Sequence, residues 1–306
     1  MTVSPRPQFP NFKPVQLADR EVIHSTFQSI QPRLSELTFT NLFMWRHYYR
    51  FQWCMHGEHL IAFSNPLGWG YALLPPAGPD PRLAVAAEVM EWLRSEKEDG
   101  FNTCIERADE SLAEEARSHV RFTVEPVPDH FDYVYRSQDL IELKGRKYHK
   151  KKNHFNRFVK RTRFEYRPLT EALIPACIQV LKEWCDWKEC DKCPFIRAEF
   201  EAVHEALLHF KPLELDGGAI LIDGRVKAFS LGEMLNRETA VIHAEKTDPT
   251  IPELFTVINQ QFCQHRYADA AFINREQDLG QEGLRKAKHA YHPDHMVKKH
   301  RICLKH

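Results

Sequence analysis

The apolar positions in the second half of the chain repeat first with a strand period and then with a helix period. Apolar runs around the turn Asp223-Gly224 predict an antiparallel meander over 218–222, 227–234 and 239–243. A helix over 253–265, a buried strand over 270–273, a helix over 278–288 and a strand near 296–303 follow. Helices over 144–161, 170–187 and 199–210 precede the meander.

The first half shows a similar order of elements. A helix over 18–30 is followed by a second helix, for which Thr40 or Asn41 is the predicted cap. Next come strands over 48–54, 59–63 and 70–74, a helix over 83–94, a strand over 101–106, a helix over 109–118 and strands over 121–124 and 132–135. Antiparallel meander, helix, strand, helix, strand is the order of a GNAT-type acyltransferase domain.

Element order therefore predicts an α+β fold with mixed sheets, built from two tandem GNAT-like domains over 1–137 and 138–306. No residue-level repeat accompanies the repeated order, so the duplication depends on the elements alone. A chain of 306 residues is long enough for two domains of ordinary size.

Net charge excludes little, because Lys plus Arg and Asp plus Glu both number 42. No apolar run is long enough to cross a bilayer, and no secretion signal opens the chain. A cytoplasmic protein, peripheral at the inner membrane face if it binds lipid, is the expected localisation. Its eight cysteines are then expected to be reduced. Cys185, Cys190 and Cys193 cluster, but no second cysteine pair completes a zinc set, so no metal is expected.

Polar side chains follow the strands predicted over 239–243 and 270–273. Ligands of α/β sheets bind beyond the carboxyl ends of strands, so these side chains predict one site. The alternative is a set of solvated loop residues with local ion pairs. The residues are His243, Glu245 and Lys246 after the first strand, and Asn274, Arg275, Glu276 and Asp278 after the second.

A basic amphipathic helix is predicted between Lys144 and Arg163, where ten Lys and Arg residues occur without an acid. Tyr148, Phe155, Phe158 and Val159 are predicted to share its inner face. Such a density of like charge favours a polyanion, either RNA phosphates or anionic lipid, over a merely solvated face. The predicted polyanion-binding residues are Lys150, Lys151, Lys152, Arg157 and Lys160.

The loop 246–253 argues against coenzyme A as the acyl donor. A pyrophosphate is usually held by backbone N–H groups of a glycine-rich loop at a helix N-terminus. Here the loop has no glycine, two prolines and two acids. Aminoacyl-tRNA is therefore the expected donor, with no separate cofactor.

The motifs HAEKTD (243–248), INREQDLGQEGLRKAKHAYHP (273–293) and TFTNLFMWR (38–46) resemble a bacterial family of largely uncharacterised proteins. That family is grouped with the C-terminal domain of phosphatidylglycerol lysyltransferase, which aminoacylates membrane lipid from aminoacyl-tRNA. The resemblance covers nearly the whole chain. It implies a tandem acyltransferase fold shared with Fem-type peptidyltransferases, and it leaves the substrate open.

The expected activity is transfer of an aminoacyl group from tRNA to an amine or hydroxyl of a lipid, peptide or small molecule. Glu245 and Glu276 would recognise a cationic amino group or act as base, and Arg275 would stabilise an oxyanion. Asp278 could instead cap the helix opening at Leu279. The predicted substrate-binding residues are His243, Lys246, Asn274, Asp278, Arg285, Lys286 and, as a wall of a cleft between the domains, Trp45 and Arg46.

Two other functions fit the same sequence. One is a CoA-dependent N-acyltransferase with an unusual loop. The other is a non-catalytic protein that keeps the fold to bind a charged ligand or RNA.

Overall fold

Each half of the chain builds one mixed sheet with helices packed against it. The computed structural model describes residues 6–66, 70–97, 103–251 and 253–305. The first elements are β1 (Lys13–Pro14), α1 (Arg20–Ile30), α2 (Phe39–Met44), α3 (Arg46–Tyr49), β2 (Gln52–His56), β3 (His59–Ser64), β4 (Ala72–Leu73), α4 (Leu83–Glu96), β5 (Cys104–Ala108), α5 (Glu110–Arg117) and β6 (Phe122–Pro126). The others are β7 (Asp132–Arg136), α6 (Ser137–Glu142), α7 (His149–Arg161), β8 (Phe164–Pro168), α8 (Ile174–Lys188), α9 (Pro194–Leu208), β9 (Asp216–Ile222), β10 (Arg225–Met234), β11 (Thr239–Thr247), α10 (Leu254–Arg266), β12 (Phe272–Asn274), α11 (Glu282–His289), β13 (His295–Val297) and β14 (His300–Leu304).

The two sheets have the same plan. The first runs β1-β2-β3-β4-β5-β14-β6 and the second runs β13-β7-β12-β11-β10-β9-β8. In the second sheet, β9, β10 and β11 form the predicted antiparallel meander, and β12 pairs parallel to β11. In the first sheet, β4 and β5 form the matching parallel pair. The predicted mixed α/β fold is confirmed.

The chain divides into two compact units, Met1–Asp132 with Val297–His306, and Tyr133–Met296. This division differs from the predicted domains 1–137 and 138–306 because each sheet includes a strand from the other half of the sequence. Strand β7 pairs with β12 in the second sheet, and β14 lies between β5 and β6 in the first. An alternating pattern identifies a strand but not its distant partners.

Several element boundaries also differ from the predicted ones. Helix α7 begins at His149, and β11 continues to Thr247, so Glu245 and Lys246 lie within the strand. Thr38 caps α2 by accepting a hydrogen bond from the Asn41 N–H at 3.0 Å, while the predicted caps lie inside the helix. The sequence pattern missed β1, α6 and β8. The first positions of the strand predicted over 101–106 and one residue of the loop 246–253 lie outside the described residues.

Helix α10 covers the second sheet. Its predicted inner face, Leu254, Ile258 and Phe262, is fully buried against residues of β9, β10 and β11 such as Ile220 and Ile242. Burial of side chains of this size contributes about 1.5–3 kcal/mol each, and this packing fixes α10 beside the carboxyl end of β11.

The cysteines are not all reduced, contrary to the expectation from the sequence. The structure joins Cys104 to Cys303, which links β5 to β14, and Cys185 to Cys190. Cys193 remains a free thiol. No group of three potential ligands for a metal ion occurs in the described part of the chain.

The first unit encloses a cluster of buried charges. The Lys299 ammonium is 0% exposed and lies 2.6 Å from Asp132 Oδ1 and 2.7 Å from Glu36 Oε2. The Arg107 Nε lies 3.1 Å from Glu36 Oε1. Two cations therefore balance two carboxylates, and the cluster connects four distant segments of this unit.

Candidate active site

At its carboxyl end β11 continues beyond its last residue paired with β12, and we call the region beside this stretch the gap. The two strands pair only from Thr239 with Phe272 to Val241 with Asn274, while β11 continues to Thr247. The pairing of β11 with β10 shifts at the same level, where Leu231 faces Ala244 and Gly232 faces Ile242. This β-bulge leaves His243 outside the ladder.

Gly232 is required at the bulge. A Cβ atom there would lie 2.5 Å from the Val241 carbonyl oxygen and 2.8 Å from the Tyr267 hydroxyl. The extra residue also changes which side chains share a face, because side chains otherwise alternate along a strand. Glu245 consequently lies on the side of α10, as Ile242 does, and Lys246 lies on the side of α8.

His243 lies between two carboxylates. Its Nδ1 is 3.0 Å from Glu276 Oε1, its Nε2 is 2.9 Å from Glu233 Oε1, and the side chain is 1% exposed. Burial alone would lower the pKa of His243, but the hydrogen bonds to Glu233 and Glu276 raise it to about 9. The ring is therefore an imidazolium at neutral pH with both nitrogens donating. It has no free lone pair, so it is not available as a base.

Glu245 forms a second ion pair in the gap. Its carboxylate binds the Arg275 guanidinium and accepts a 3.0 Å hydrogen bond from Asn259 Nδ2 on α10. Burial would lower the pKa of Arg275, but Glu245 raises it well above its usual value. Arg275 also lies 4.9 Å from the Tyr291 ring centroid and 5.9 Å from that of Tyr135. Glu245 and Arg275 are therefore ion-paired with each other, and their catalytic roles stay a prediction.

Lys288 holds the loop that carries these groups. Its Nζ donates to the carbonyl oxygens of Arg275, Glu276 and Gln277 at 2.5, 3.0 and 2.6 Å. Asn274 Oδ1 accepts from the Glu276 N–H at 2.8 Å, and Glu276 adopts the left-handed conformation with φ of 56°. Three carbonyls that converge on one ammonium fix the direction of both charged side chains.

Asp278 supports the same loop from the other side. It accepts hydrogen bonds from the Tyr133 hydroxyl at 2.7 Å, from Arg285 Nε at 2.8 Å and from the Gly280 N–H at 2.9 Å. Burial alone would raise the pKa of Asp278, but the bonds from Arg285 and Tyr133 lower it to about 2. Asp278 does not cap α11, whose N-cap is Gln281. In this structure Asp278 and Arg285 bind each other.

The other predicted substrate-binding residues lie apart from the gap. Lys246 packs 3.5 Å from the Trp184 ring centroid and pairs with Glu199 on the opposite face of the sheet. Burial lowers the pKa of Lys246 despite Glu199. Lys286 is exposed and pairs with Glu282 within α11. Their contact with a substrate stays a prediction.

Trp45 and Arg46 belong to the first unit. The Trp45 ring packs 5.7 Å from that of Tyr49, and the Arg46 guanidinium lies 3.7 Å from the Phe43 ring centroid. Arg46 Nη1 also donates to the Phe43 carbonyl at 2.7 Å. The cleft wall assigned to these two residues stays a prediction.

Helix α7 presents two kinds of cation. Lys150, Arg157 and Lys160 are exposed, and none has an ion-pair partner in the part of the chain that the structure describes. Lys152 is half-buried and donates to the Glu142 carbonyl at 2.9 Å. Val159, predicted to face inward, is exposed, because the apolar stripe that α7 buries is narrower than predicted.

Lys151 points inward. Its Nζ lies 4.0 Å from the Tyr291 ring centroid, beside the Arg275–Glu245 pair. Burial lowers the pKa of Lys151 to about 8, and the nearby cations Arg275 and Lys150 act in the same direction. Lys151, which the sequence predicted to bind a polyanion on the outer face of α7, therefore lies beside the Arg275–Glu245 pair.

A bulged meander strand that diverges from its parallel neighbour, with polar groups in the gap, defines a GNAT-like acyltransferase fold. The fold is shared with L-PGS from Bacillus licheniformis, which is 13% identical with a TM-score of 0.64 and covers 94% of this chain and 92% of its own. It is also shared with FemX, which is 8% identical with a TM-score of 0.61 and covers 96% and 97%.

The chain belongs to the family described as phosphatidylglycerol lysyltransferase, C-terminal, which matches residues 27–303. A conserved protein of unknown function from Bacteroides thetaiotaomicron is 34% identical over 96% of this chain and 99% of its own, with a TM-score of 0.89. No curated protein matches the chain. Family and fold together support an acyltransferase. None of the described helices is both long and apolar enough to span a membrane.

Proposed function

We propose that the protein transfers an aminoacyl group from aminoacyl-tRNA to an amine or hydroxyl acceptor. The acceptor would belong to a lipid, a peptide or a small molecule. The observation that carries the proposal concerns both faces of α7. Its outer face is basic and has no acidic partner among the residues that the structure describes, and Lys151 on its inner face contacts Tyr291 beside the Arg275–Glu245 pair. A polyanion bound along α7 would bring one of its ends to the site.

The outer face of α7 suits a phosphate backbone. Lys150, Arg157 and Arg161 follow one another at helical spacing on one face, and Lys160 adjoins them. Arg157, Lys160 and Arg161 line an open groove of about 410 Å³. Exposed cations without acidic partners bind a polyanion by releasing its counterions.

Coenzyme A fits the corresponding region poorly. At the turn before α10, Asp248 Oδ1 accepts from the Thr250 N–H at 2.9 Å and from the Thr250 hydroxyl at 2.6 Å. Asp248 Oδ2 pairs with Lys227 at 2.8 Å. A carboxylate thus occupies the position where a pyrophosphate would need backbone donors, and like charges repel.

The family description supports an aminoacyl group as the transferred unit, since it names lysyl transfer to phosphatidylglycerol. An anionic lipid acceptor would bring the protein to a membrane surface, where the basic face of α7 is also suited to bind. Peripheral association with the inner membrane face is therefore part of the proposal.

In the reaction, the acceptor nitrogen or oxygen would attack the ester carbonyl carbon. The bond to the ribose oxygen would then break, with the acceptor's proton ending on that oxygen. The protein's part is to orient the two reactants and to stabilise the negative charge that develops on the carbonyl oxygen. Arg275, held by Glu245 and directed by the loop that Lys288 fixes, is the cation we assign to this charge.

Binding of tRNA as a function of salt tests the role of α7. A variant with Lys150→Glu, Arg157→Glu and Lys160→Glu should bind weakly, and its slope of log affinity against log salt should be shallower by about 2–3. The matched control reverses Lys182, Lys192 and Lys211, which are exposed elsewhere in the second unit. Equal affinity of the wild type and the α7 variant would overturn the proposed donor site.

A further inference from the structure

Each of the three carboxylates at the gap already has a cationic partner. Glu245 is held by Arg275 and Asn259, and Glu233 and Glu276 share the His243 imidazolium. Releasing any one of them to bind a substrate amine or to accept a proton would strand a buried partner charge, which is costly. In the site as folded, each of these carboxylates is therefore committed to a cation, although the three together exceed the His243 and Arg275 cations by one charge.

Lys151, unlike these carboxylates, forms no ion pair within the described part of the chain. Among the described residues, no carboxylate lies within 4 Å of its Nζ, and its ammonium faces the ring of Tyr291. The same ring is contacted by Arg275 at 4.9 Å from its centroid. Two cations thus approach one aromatic side chain. Glu245 forms an ion pair with Arg275 and acts on Lys151 only from a greater distance.

The inward direction of Lys151 follows from its position in the sequence of α7. Lys151, Phe155 and Phe158 follow at i, i+4 and i+7 and so lie on the buried stripe of the helix. A lysine in that stripe is partly removed from water, and Lys151 forms no ion pair there among the described residues. Its neighbour Lys150 lies on the outer face and remains in water.

We propose that Lys151 and Arg275 together bind an anionic oxygen of the ligand beside Tyr291, which makes Lys151 a catalytic residue. The identity of that oxygen rests on the proposed function. It is either the carbonyl oxygen of the acyl ester, negative while the new bond to the acceptor forms and the bond to ribose still holds, or a phosphate oxygen at the end of the nucleic acid. Both place a negatively charged oxygen beside the same two cations.

The step balances without another reactant. The acceptor's lone pair forms the new bond to carbon, and the carbonyl π electrons move to the oxygen beside Lys151 and Arg275. When these electrons return, the carbon–ribose oxygen bond breaks, and the leaving oxygen takes the acceptor's proton. Lys151 keeps its own proton throughout.

Trace labelling of lysines with acetic anhydride tests the anion site without requiring the donor. Inorganic phosphate and adenosine 5′-monophosphate, each at about ten times its dissociation constant, should slow acetylation of Lys151 by about tenfold, because occupancy protects the amine. Lys182, exposed on α8, is the internal control and should not be protected. Equal protection of both lysines, or of neither, would overturn the proposal.

Kinetics of aminoacyl transfer then separate the two sources of the oxygen. Lys151→Met should lower kcat about 10²-fold at constant KM if the oxygen is the acyl oxyanion, and should raise KM instead if it is a phosphate. Lys151→Arg keeps the cation and should recover most of the loss, while Lys182→Met should match the wild type. Equal loss in the Met and Arg variants would overturn the anion role. Protection of Lys151 by phosphate without any transfer from tRNA would leave this inference standing and would overturn the proposed donor.

Discussion

Replacing Glu276 by glutamine tests the charge arrangement around His243. The sequence alone left two outcomes open: a catalytic Glu276 would be dispensable for stability, and a structural one would not. In the structure Glu276 and Glu233 are the two hydrogen-bond acceptors of a buried imidazolium, which favours the second outcome for stability, while a catalytic role of Glu276 stays a prediction. We therefore expect Glu276→Gln to destabilise the protein by about 1–3 kcal/mol at pH 6.

The magnitude follows from the pKa of His243. The difference between its ordinary pKa of 6.5 and about 9 corresponds to about 3 kcal/mol of unfolding free energy. Because the folded protein binds this proton more tightly than the unfolded chain, the contribution is fully present below pH 6.5. It is lost as the pH rises through about 9. Loss of one carboxylate lowers the pKa of His243. In Glu276→Gln the protonated ring should therefore contribute less to the unfolding free energy, and this contribution should be lost at a lower pH than in the wild type.

Urea unfolding at pH 6, 7.5, 9 and 10 measures this difference. The difference in unfolding free energy between wild type and Glu276→Gln should be largest at pH 6, should narrow as the pH rises towards 9 and should be smallest at pH 10. Glu282→Gln is the matched control, since the Glu282 side chain is 79% exposed and pairs with Lys286, which is also exposed. It should stay within about 0.5 kcal/mol of the wild type. A difference that does not change with pH would refute a charged His243.

Three further predictions concern other parts of the molecule. Lys299→Met should cost about 3–5 kcal/mol in urea unfolding, because it leaves the buried Glu36 and Asp132 short of a cation; a cost below about 1 kcal/mol would contradict the buried cluster. Lys288→Met should speed amide hydrogen exchange in the loop 275–277 and weaken ligand binding, and unchanged exchange would show that the three carbonyls do not need it. Calorimetry should detect no micromolar binding of acetyl-CoA, about −8 kcal/mol, because the turn before α10 carries the Asp248 carboxylate, which is bound to Thr250 and Lys227; binding at that strength would restore the CoA-dependent alternative.

The neighbourhood of the site could be predicted from the sequence. Two short buried strands, each followed by charge, were enough to bring Glu245, Arg275 and Glu276 together, because parallel neighbours end at the same edge of a sheet. The pairing among the charges could not be predicted in the same way. It depends on the bulge at His243, which reverses the alternation of faces, and a pattern of period two gives no sign of one extra residue.

Residues from other strands and helices were missed for a similar reason. Glu233 belongs to β10. Its charge inside an otherwise apolar strand was the one feature of the sequence that could have indicated a role in the site. Asn259 lies on the buried face of α10, where an amide among apolar residues marks a specific partner. Lys151 was assigned to the wrong face of α7, although its spacing to Phe155 and Phe158 places it in the buried stripe. The exchange of β7 and β14 between the sheets leaves no local signal at all.

Transfer of labelled amino acids from tRNA tests the central claim most directly. The protein is incubated with tRNA charged with a mixture of radiolabelled amino acids, together with bacterial lipids and a small-molecule extract. Label should leave the tRNA and appear in a lipid, peptide or small-molecule product with the wild type and with Lys182→Met. Transfer should fall about 10²-fold with Lys151→Met. Label that stays on the tRNA, while the same acceptors receive an acyl group from acyl-CoA, would contradict an aminoacyl-tRNA donor.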